Sequence, residues 1–401
     1  GNNILNGQAD EAAQMQALMD SAASQGKKLG LQWGQALSVE QISKLDGDIV
    51  WMVETTVAGQ KVLAPVVYLS AATKNAVQTG AVISAADANL NLTSLTNSGG
   101  TISGSSSLNI VSQGDVRNTG GTITGGNVSV KSTEGSIINK TVAITTGNDL
   151  ERNTVIGKTG TISSTGDLDL DAKKNITVTG AQISAGGNAS LNAGDAITFD
   201  TIEDKKAHTT SSESSKGFNS TVTSTTVQTT EQIKSGLTVG GNLQMKAKND
   251  VTLAGTDVKV GGDADIASTD GNINVLARAN SSKTTSKTET SGLGVGGGLA
   301  GKQTTDHVEE HDRNVGSTIQ IGGNAKMKAK NDITFEGATV NAGGDGDLDA
   351  GGNLNILDGK DRDYSKTTTT TTTFLKVEKG SDKGGAAGTK ETKKGAQAKG
   401  L

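Results

Sequence analysis

The sequence predicts an all-β fold: a right-handed parallel β-helix (solenoid) with Thr/Ser-rich hairpin excursions, preceded by a small mixed α/β segment. Glycine accounts for 55 of 401 residues and aromatic residues for 2%, so the large side chains of a broad globular core are scarce. From about residue 80, short aliphatic runs alternate with polar residues, and a unit of about 20 residues recurs. A unit of this size cannot bury its own apolar side, so successive units must stack.

Residues 1–75 form the predicted pre-repeat segment, the only zone with helical periodicity. From Asp10 to Ser24, the apolar residues that share one side of the predicted helix are Ala12, Met15, Leu18 and Met19. The stretch from Ser38 to Gln41 has the capping-box pattern and predicts a short helix that ends at Leu45.

A small conventional core is also expected in this segment. It contains both tryptophans and the single proline of the chain. Large aromatic side chains bury enough area to hold a small core together. We therefore expect a core built around Trp33, Trp51, Pro65 and Tyr68.

Residues 76–360 form the predicted β-helix. The motif at Gly99–Ser103 recurs at Gly120–Thr124, Thr159–Ser163 and Thr179–Ile183, at steps of 21, 39 and 20 residues. We interpret the 39-residue step as two units. The alternation predicts that one set of aliphatic residues points into a continuous narrow core: Leu168, Leu170, Ile183, Leu191, Leu243, Met245, Val251, Leu253, Met327, Ile333 and Phe335.

A longer repeat contains Thr/Ser-rich tracts. Gly240–Asp263 matches Gly322–Asp345 at 15 of 24 positions, 82 residues apart, and a Thr/Ser tract follows each copy. These tracts have β propensity but almost no apolar face, so they predict hairpins or edge strands on the stalk. The excursions are expected near 203–236 and 280–316. Residues 361–401 would hold a third excursion and a Lys/Gly-rich linker, with 380–401 flexible.

The composition of the chain limits the classes of function that it could have. The chain has 37 basic and 42 acidic residues, so its net charge creates no electrostatic field that would attract nucleic acid. No nucleic-acid partner is therefore expected. The absence of cysteine excludes disulfides and thiolate metal sites. No apolar run approaches the roughly 20 residues that span a bilayer. Gly1 begins no signal peptide, so a secreted parent is expected to carry its export signal upstream.

Four motifs resemble chemical sites, and each has a simpler interpretation. His307 and His311 fit the H-x-x-E-H spacing of zinc enzymes, but no amphipathic helix surrounds them, which favours a solvated charged loop. Gly296–Gln303 resembles a phosphate-binding loop with Gln303 in the Ser/Thr position. Gly292, Gly294 and Gly297 spell G-x-G-x-x-G without its strand-turn-helix frame, so both glycine motifs are interpreted as turns.

The fourth motif is acidic. Asp345, Asp347 and Asp349 resemble calcium-binding β-roll repeats, yet Leu348 occupies a position where Asp is expected, and the three carboxylates should point outward. No Ser/His/Asp arrangement is recognisable. The sequence therefore names no catalytic, cofactor-binding or metal-binding residue, and predicts a chain that is not an enzyme and needs no cofactor.

These repeats resemble those of the filamentous hemagglutinin family of two-partner-secreted exoproteins. The block from Gly30 to Ser70 is similar to one that precedes the later hemagglutinin-repeat region of contact-dependent growth inhibition exoproteins. The resemblance covers nearly the whole chain and identifies residues 76–360 as hemagglutinin repeats.

The resemblance implies a stalk that helps deliver a C-terminal toxin into neighbouring bacteria across the target outer membrane. The implied partners are an outer-membrane two-partner secretion transporter, acting on the missing N-terminal region, and the target-cell outer membrane or a surface receptor. The implied location is extracellular, on the bacterial surface. The alternatives are an adhesin that mediates cell–cell or host attachment, and a metallohydrolase at His307 and His311.

Overall fold

The computed structural model describes residues 11–38, 41–42, 44–57, 60–68, 70, 80–374 and 388–394. The chain divides into two compact units between Ala81 and Val82.

The first unit contains a helix and a hairpin: α1 (Glu11–Lys28), β1 (Ile49–Val57) and β2 (Gln60–Tyr68), with β1 and β2 antiparallel. Its buried core comprises Ala22, Leu37, Leu45, Ile49 and Trp51. The predicted helix is thus present.

The capping box in the first unit is formed by two reciprocal bonds. The Ser38 backbone N–H donates to Gln41 Oε1 at 2.9 Å, and the Gln41 N–H donates to Ser38 Oγ at 3.2 Å. Val39 and Glu40 lie outside the described residues. The bonds satisfy N–H groups that the first turn of a helix leaves without partners.

The predicted aromatic core is only partly correct. Trp51 is 8% exposed, but Trp33 is 66% and Met19 51% exposed. The Trp33 ring meets Trp51 edge-on, with centroids 5.3 Å apart, and so covers the core from outside instead of entering it. Pro65 is also exposed. The side chains of Ala12 and Met15 lie outside the described residues.

The second unit consists of four sections, each ending in a hairpin. The first section contains β3 (Val82–Leu92), β4 (Leu95–Ser98), β5 (Thr101–Ser112), β6 (Val116–Thr119), β7 (Thr122–Ser132), β8 (Ile137–Lys140) and the hairpin β9 (Ala143–Gly147) and β10 (Arg152–Ile156). The second contains β11 (Thr161–Ser164), β12 (Leu168–Ala172), β13 (Ile176–Thr179), β14 (Gln182–Ala185), β15 (Ala189–Ala193), β16 (Ile197–Asp200) and the hairpin β17 (Ile202–Lys216) and β18 (Asn219–Ile233).

The last two sections repeat this order. The third contains β19 (Ser235–Val239), β20 (Leu243–Ala247), β21 (Val251–Ala254), β22 (Thr256–Val260), β23 (Ala264–Ser268), β24 (Ile273–Leu276) and the hairpin β25 (Arg278–Leu293) and β26 (Ala300–Val315). The fourth contains β27 (Thr318–Ile321), β28 (Ala325–Ala329), β29 (Ile333–Glu336), β30 (Thr339–Ala342), β31 (Gly346–Ala350), β32 (Leu354–Leu357) and the pair β33 (Arg362–Phe374) and β34 (Gly388–Lys394).

The coils stack into a parallel β-helix, as predicted. Each coil contributes one strand to a nine-stranded parallel sheet, and its other strands lie in a fifteen-stranded sheet. The described residues therefore form nine coils. In a typical coil, β14, β15 and β16 form three successive faces, and each pairs in parallel with its equivalent in the next coil.

The interior is one continuous hydrophobic cluster that runs from Ala88 to Phe335. All eleven predicted core residues belong to it, and Phe335 at 9% is the most exposed of them. Among the described residues, Phe199 is the largest fully buried side chain. The prediction of one narrow core from period-two alternation is confirmed.

Left-handed glycines turn the corner between the third face of one coil and the first face of the next. Gly180 (φ 56), Gly255 (φ 51) and Gly337 (φ 53) occupy this corner, as do Gly99 and Gly120. At the other corners of this kind among the described coils, the chain instead leaves as a hairpin. A Cβ at Gly180 would lie 2.2 Å from Ile202 Cγ2 at the start of β17, so glycine also leaves space for the neighbouring hairpin.

The interpretation of the 39-residue step as two units is wrong. β11 pairs directly with β7, with Thr161 opposite Thr122. The two motifs therefore lie in adjacent coils. The additional residues form the short hairpin β9–β10. Sequence spacing alone cannot distinguish a second coil from an insertion.

A ladder of Asn and Asp side chains fixes the corner between the first and second faces. The Asn242 backbone N–H donates to Asn188 Oδ1 at 2.9 Å, and the Asp263 N–H donates to Asn242 Oδ1 at 2.9 Å. A Cβ on Gly241 would lie 2.6 Å from Asn188 Oδ1, and one on Gly240 2.2 Å from the Gly186 carbonyl oxygen. The recurring Gly-Gly-Asn/Asp motif therefore has a steric cause: only glycine fits beneath the ladder.

The predicted flexible linker at 380–401 is partly corrected. Residues 388–394 form β34, which pairs antiparallel with β33 from Thr373 opposite Gly388 to Thr367 opposite Lys394. The polar segment gains structure because an edge strand offers it a ladder of backbone partners. Residues 380–387 and 395–401 lie outside the described residues.

Candidate functional site

The hairpins join into one surface, which we call the hairpin sheet. It has eight antiparallel strands in the order β34, β33, β26, β25, β18, β17, β10, β9. The predicted hairpins near 203–236 and 280–316 are present as β17–β18 and β25–β26. The sequence did not indicate that successive hairpins also pair with each other, as β18 does with β25 from Ser220 opposite Ser291 to Thr230 opposite Ser281.

The spacing of the coils explains why the hairpins pair. Two coils separate successive hairpins in the described residues. Stacked coils and neighbouring strands share a spacing of about 4.8 Å, so two coils advance the rod by about 9.6 Å, the width of a two-stranded hairpin. Each hairpin therefore arrives where the previous one ends, and the sheet extends along the rod without a gap.

An ion pair joins the bases of two successive hairpins. Arg278, the first residue of β25, donates from Nε to Asp200 Oδ1 at 2.8 Å and from Nη2 to Asp200 Oδ2 at 2.6 Å. Asp200 ends the coil from which β17 departs. The bond to Asp200 raises the pKa of the Arg278 guanidinium. This two-pronged geometry fixes the direction in which the third hairpin leaves the rod.

One face of the hairpin sheet is almost entirely hydroxyl. Residues opposite each other in antiparallel strands share a face, and the register places these together: Thr210, Ser212, Ser214, Thr221, Thr223, Thr225, Ser286, Thr288, Thr290, Gln303, Thr305, His307, Thr367, Thr369 and Thr371. We call this the hydroxyl face. None of these fifteen residues is Asp, Glu, Lys or Arg; beyond this set the register also places Lys216, Glu309, Lys390 and Lys394 on the same face. Neighbouring hydroxyls hydrogen bond across strands, for example Thr223 with Thr288 at 3.2 Å.

The opposite face carries the charges. Lys283 meets Glu310 at 2.9 Å, and Glu289 contacts both Lys287 at 2.9 Å and Lys302 at 3.0 Å. The bond from Lys283 holds the pKa of Glu310 below its ordinary value, and the bond from Lys287 does the same for Glu289. Charges of both signs are thus paired on this charged face, and the hydroxyl-rich set on the other face contains none of them.

The H-x-x-E-H motif lies in strand β26. His307 Nδ1 is 2.8 Å from Thr367 Oγ1, and His311 Nδ1 is 2.7 Å from Asp363 Oδ1. In a strand, residues four apart lie about 13 Å from each other, too far to bind one zinc ion together. The described residues contain no group of three or more His, Asp or Glu that could hold a metal.

The glycine motifs lie at the tip of the third hairpin. A 3-10 turn at Val295–Gly297 links β25 to β26, with left-handed backbone at Gly294 and Gly296. They form a hairpin turn, as interpreted from the sequence, and no helix follows.

Asp345, Asp347 and Asp349 are exposed on the outside of the last described coil. Asp349 Oδ2 accepts from Lys328 at 2.6 Å. Leu348 lies opposite the buried Met327, so its neighbours Asp347 and Asp349 point outward, as predicted.

Concave surfaces also lie outside the hairpin sheet. A groove of 910 Å³ follows the Asn/Asp ladder along seven coils, from Ser107 to Lys326. In the first unit, a cleft of 540 Å³ is lined by Trp33, Trp51, Met19 and Pro65. Among the described residues, no helix is long and apolar enough to cross a membrane.

Comparison with protein families identifies the repeats. The model of the hemagglutinin repeat matches residues 151–227, 216–309 and 298–400. Each matched range begins at or near a hairpin and extends into the next section. The chain belongs to the hemagglutinin repeat family. In this hemagglutinin repeat chain, the section between one hairpin and the next consists of two coils.

Its relatives are much longer proteins. It is 31% identical to a tRNA nuclease CdiA of Escherichia coli O6:K15:H31 over 49% of this chain and 7% of the relative. A deoxyribonuclease CdiA of Dickeya dadantii is 40% identical over 47% of this chain and 6% of the relative. The tRNA nuclease CdiA-2 of Burkholderia pseudomallei is 27% identical over 98% of this chain and 11% of the relative. No solved structure matches the chain.

Proposed function

We propose that this hemagglutinin repeat chain is a non-catalytic stalk segment that helps to deliver a toxin, located elsewhere in a longer exoprotein, into neighbouring bacteria across their outer membrane. Its parent would be secreted to the bacterial surface by a two-partner transporter, and would meet a receptor or the outer membrane of the target cell. The chain spans about a tenth or less of the length of the relatives it matches, so these roles concern the whole parent.

One observation carries the proposal. Relatives similar to this chain are named for different activities, a tRNA nuclease, a 16S rRNA endonuclease and a deoxyribonuclease. One kind of repeat segment is not expected to contain three different active sites, which supports placing these activities outside the parts that are similar to this chain. The segment described here is a rod with a sheet along one side. Such a shape suits carrying a toxin or spanning the distance to a neighbouring cell better than it suits catalysis.

An adhesin is the second candidate, and the hairpin sheet favours it. Beyond its base the sheet is a single layer, and residues such as Ser212 and Glu213 on its two faces are exposed. A broad, hydroxyl-rich face offers many hydrogen-bonding groups to a polar surface. Attachment and toxin entry would then use the same rod.

The experiment removes the sheet without removing the rod. In the parent exoprotein, each hairpin is replaced by a single left-handed glycine corner of the Gly180 type, and a second variant lacks residues 80–360. Attachment to fluorescent target cells and growth inhibition are measured together, after both variants are shown to reach the producer surface. The delivery proposal expects normal attachment and lost inhibition. Lost attachment would support the adhesin, and retained inhibition by both variants would contradict delivery.

A further inference from the structure

The outer part of strand β17 is an unpaired edge. The preceding hairpin is short, and β10 pairs with β17 only at Ala207 and Lys206. Its turn reaches slightly further, because Thr209 Oγ1 donates to the Leu150 carbonyl oxygen at 2.8 Å. From Thr210 to Lys216, β17 pairs with β18 on one side, and no strand of the described residues lies on the other. All seven residues are exposed.

We propose that this edge pairs with the same edge of a second copy of the chain. A strand edge presents a row of unpaired N–H and C=O groups that a further strand can complete. The sheet itself shows which strand chemistry fits, since Thr and Ser lie opposite Thr and Ser in the β17–β18 and β18–β25 pairs. The free edge of β17 has this composition, and a two-fold axis brings two such edges together antiparallel.

The faces and charges select the register. Opposed residues must share a face, and Ser212 lies on the hydroxyl face whereas Glu213 lies on the charged face. A two-fold pair sets its central residue opposite itself, and we take the two positions at the middle of the unpaired stretch, Ser212 and Glu213, as the candidates for this centre. Like charges directly opposite destabilise a strand pair. The pair centres on Ser212, which places Ser211 opposite Glu213 and Thr210 opposite Ser214.

The geometry of this pair has two consequences. The first hairpin's turn beside Thr209 ends the new ladder, so only the outer part of the sheet takes part. The two-fold axis stands perpendicular to the sheet, and the strands stack along the rod. The axis therefore reverses the rod direction, and the pair joins stalks that point toward each other rather than stalks that point the same way.

The absence of native cysteine makes the register directly testable. Opposed Cβ atoms in antiparallel strands lie about 4.5–5.5 Å apart, close to the range that disulfides bridge. In the 401-residue chain, Ser212→Cys should form a disulfide-linked dimer on mild oxidation. Thr210→Cys and Ser214→Cys should each crosslink poorly alone and efficiently when mixed. Ser215→Cys, opposite Thr209, is the matched control that should not self-crosslink.

Sedimentation of the unoxidised chain tests the association itself. We expect a concentration-dependent dimer that Ser212→Lys weakens at least tenfold, because two lysines would then meet on the axis. Thr284→Lys is the control: it adds the same charge to the same face, opposite Val227 and Glu309, in a strand paired on both sides. Circular dichroism and thermal melting establish that each variant is folded. A chain that stays monomeric, or a dimer in which Ser212→Cys crosslinks no faster than Ser215→Cys, would overturn the proposal.

Discussion

Asp200 and Arg278 lie 78 residues apart in sequence and form a two-pronged ion pair, with Nε–Oδ1 at 2.8 Å and Nη2–Oδ2 at 2.6 Å. The pair joins the coil that precedes the second hairpin to the first residue of the third. Both side chains are about one-third exposed, so solvent screens the attraction in part. Its importance is geometric, because it fixes the position of the base of the third hairpin relative to the base of the second.

Removing one partner of this pair should loosen the base of the third hairpin. We expect Asp200→Asn to lower the free energy of unfolding by about 1 kcal/mol. Arg278→Lys keeps the positive charge but cannot make both bonds to Asp200, so it should retain only part of the stability that the pair contributes. Thermal unfolding measures both variants. Equal stability of Asp200→Asn and the parent chain would contradict a role for the pair.

The contrast between two phenylalanines tests the position of the core. Phe199 is 0% exposed inside the rod, and Phe218 is 86% exposed at the tip of the second hairpin. Phe199→Ala should cost about 3–5 kcal/mol of stability because it leaves a cavity in a narrow core. Phe218→Ala should change stability by less than about 0.5 kcal/mol. Denaturant unfolding compares the two, and a similar cost for both would refute the assigned core.

The Asn/Asp ladder can be tested through the glycine beneath it. Gly241→Ala places a methyl group 2.6 Å from Asn188 Oδ1, and should destabilise the chain by roughly 2 kcal/mol. Gly346→Ala is the control, because a Cβ there meets nothing within 4 Å. In an Asn188→Ala background the Gly241→Ala penalty should shrink, since the closest atom is gone. Additive effects in this double-mutant cycle would argue against the steric explanation.

The rise of two coils equals the width of one hairpin, and this equality predicts the effect of deleting a single coil. Deleting residues 240–260 removes 21 residues and leaves one coil between the second and third hairpins. The rod then advances about 4.8 Å where the hairpins need about 9.6 Å. Hydrogen exchange should show faster exchange at residues 281–291, where β25 pairs with β18. Deleting residues 100–120, ahead of the first hairpin, is the control and should leave this protection unchanged.

His311 makes one strand pair sensitive to pH. Its bond to Asp363, and then its bond to Glu309, raise the pKa of His311, while His311 lowers the pKa of Asp363. A raised histidine pKa means that the charged form stabilises the folded state below about pH 6.5, the unfolded value, and that this is lost as pH rises through the folded pKa. Protection of the β26–β33 pair should therefore fall between mildly acidic and mildly alkaline pH. His311→Gln should remove this dependence, and its persistence in that variant would assign the effect elsewhere.

The sequence by itself determined the coil and its interior. Alternation at Leu168 and Leu170, or at Leu243 and Met245, reflects backbone geometry within one strand, so it could be read without the fold. The Gly-Gly-Asn/Asp motif marked the corners for a similar reason, although the Asn188–Asn242 bond beneath it joins two coils and could not be seen. Segregation of charge in the hairpins was also present as alternation in Lys283–Thr290.

Only the tertiary structure decided how the excursions are arranged. Whether 39 residues hold two coils or one coil and a hairpin depends on which strand β11 meets, and β7 is the answer. The exposure of Trp33 was likewise decided by tertiary packing, because Trp51 occupies the buried position in the small core and Trp33 packs on it from outside. The hairpin sheet exists because two coil rises equal the width of one hairpin. That is a relation between distances in space, and no local pattern in the sequence encodes it.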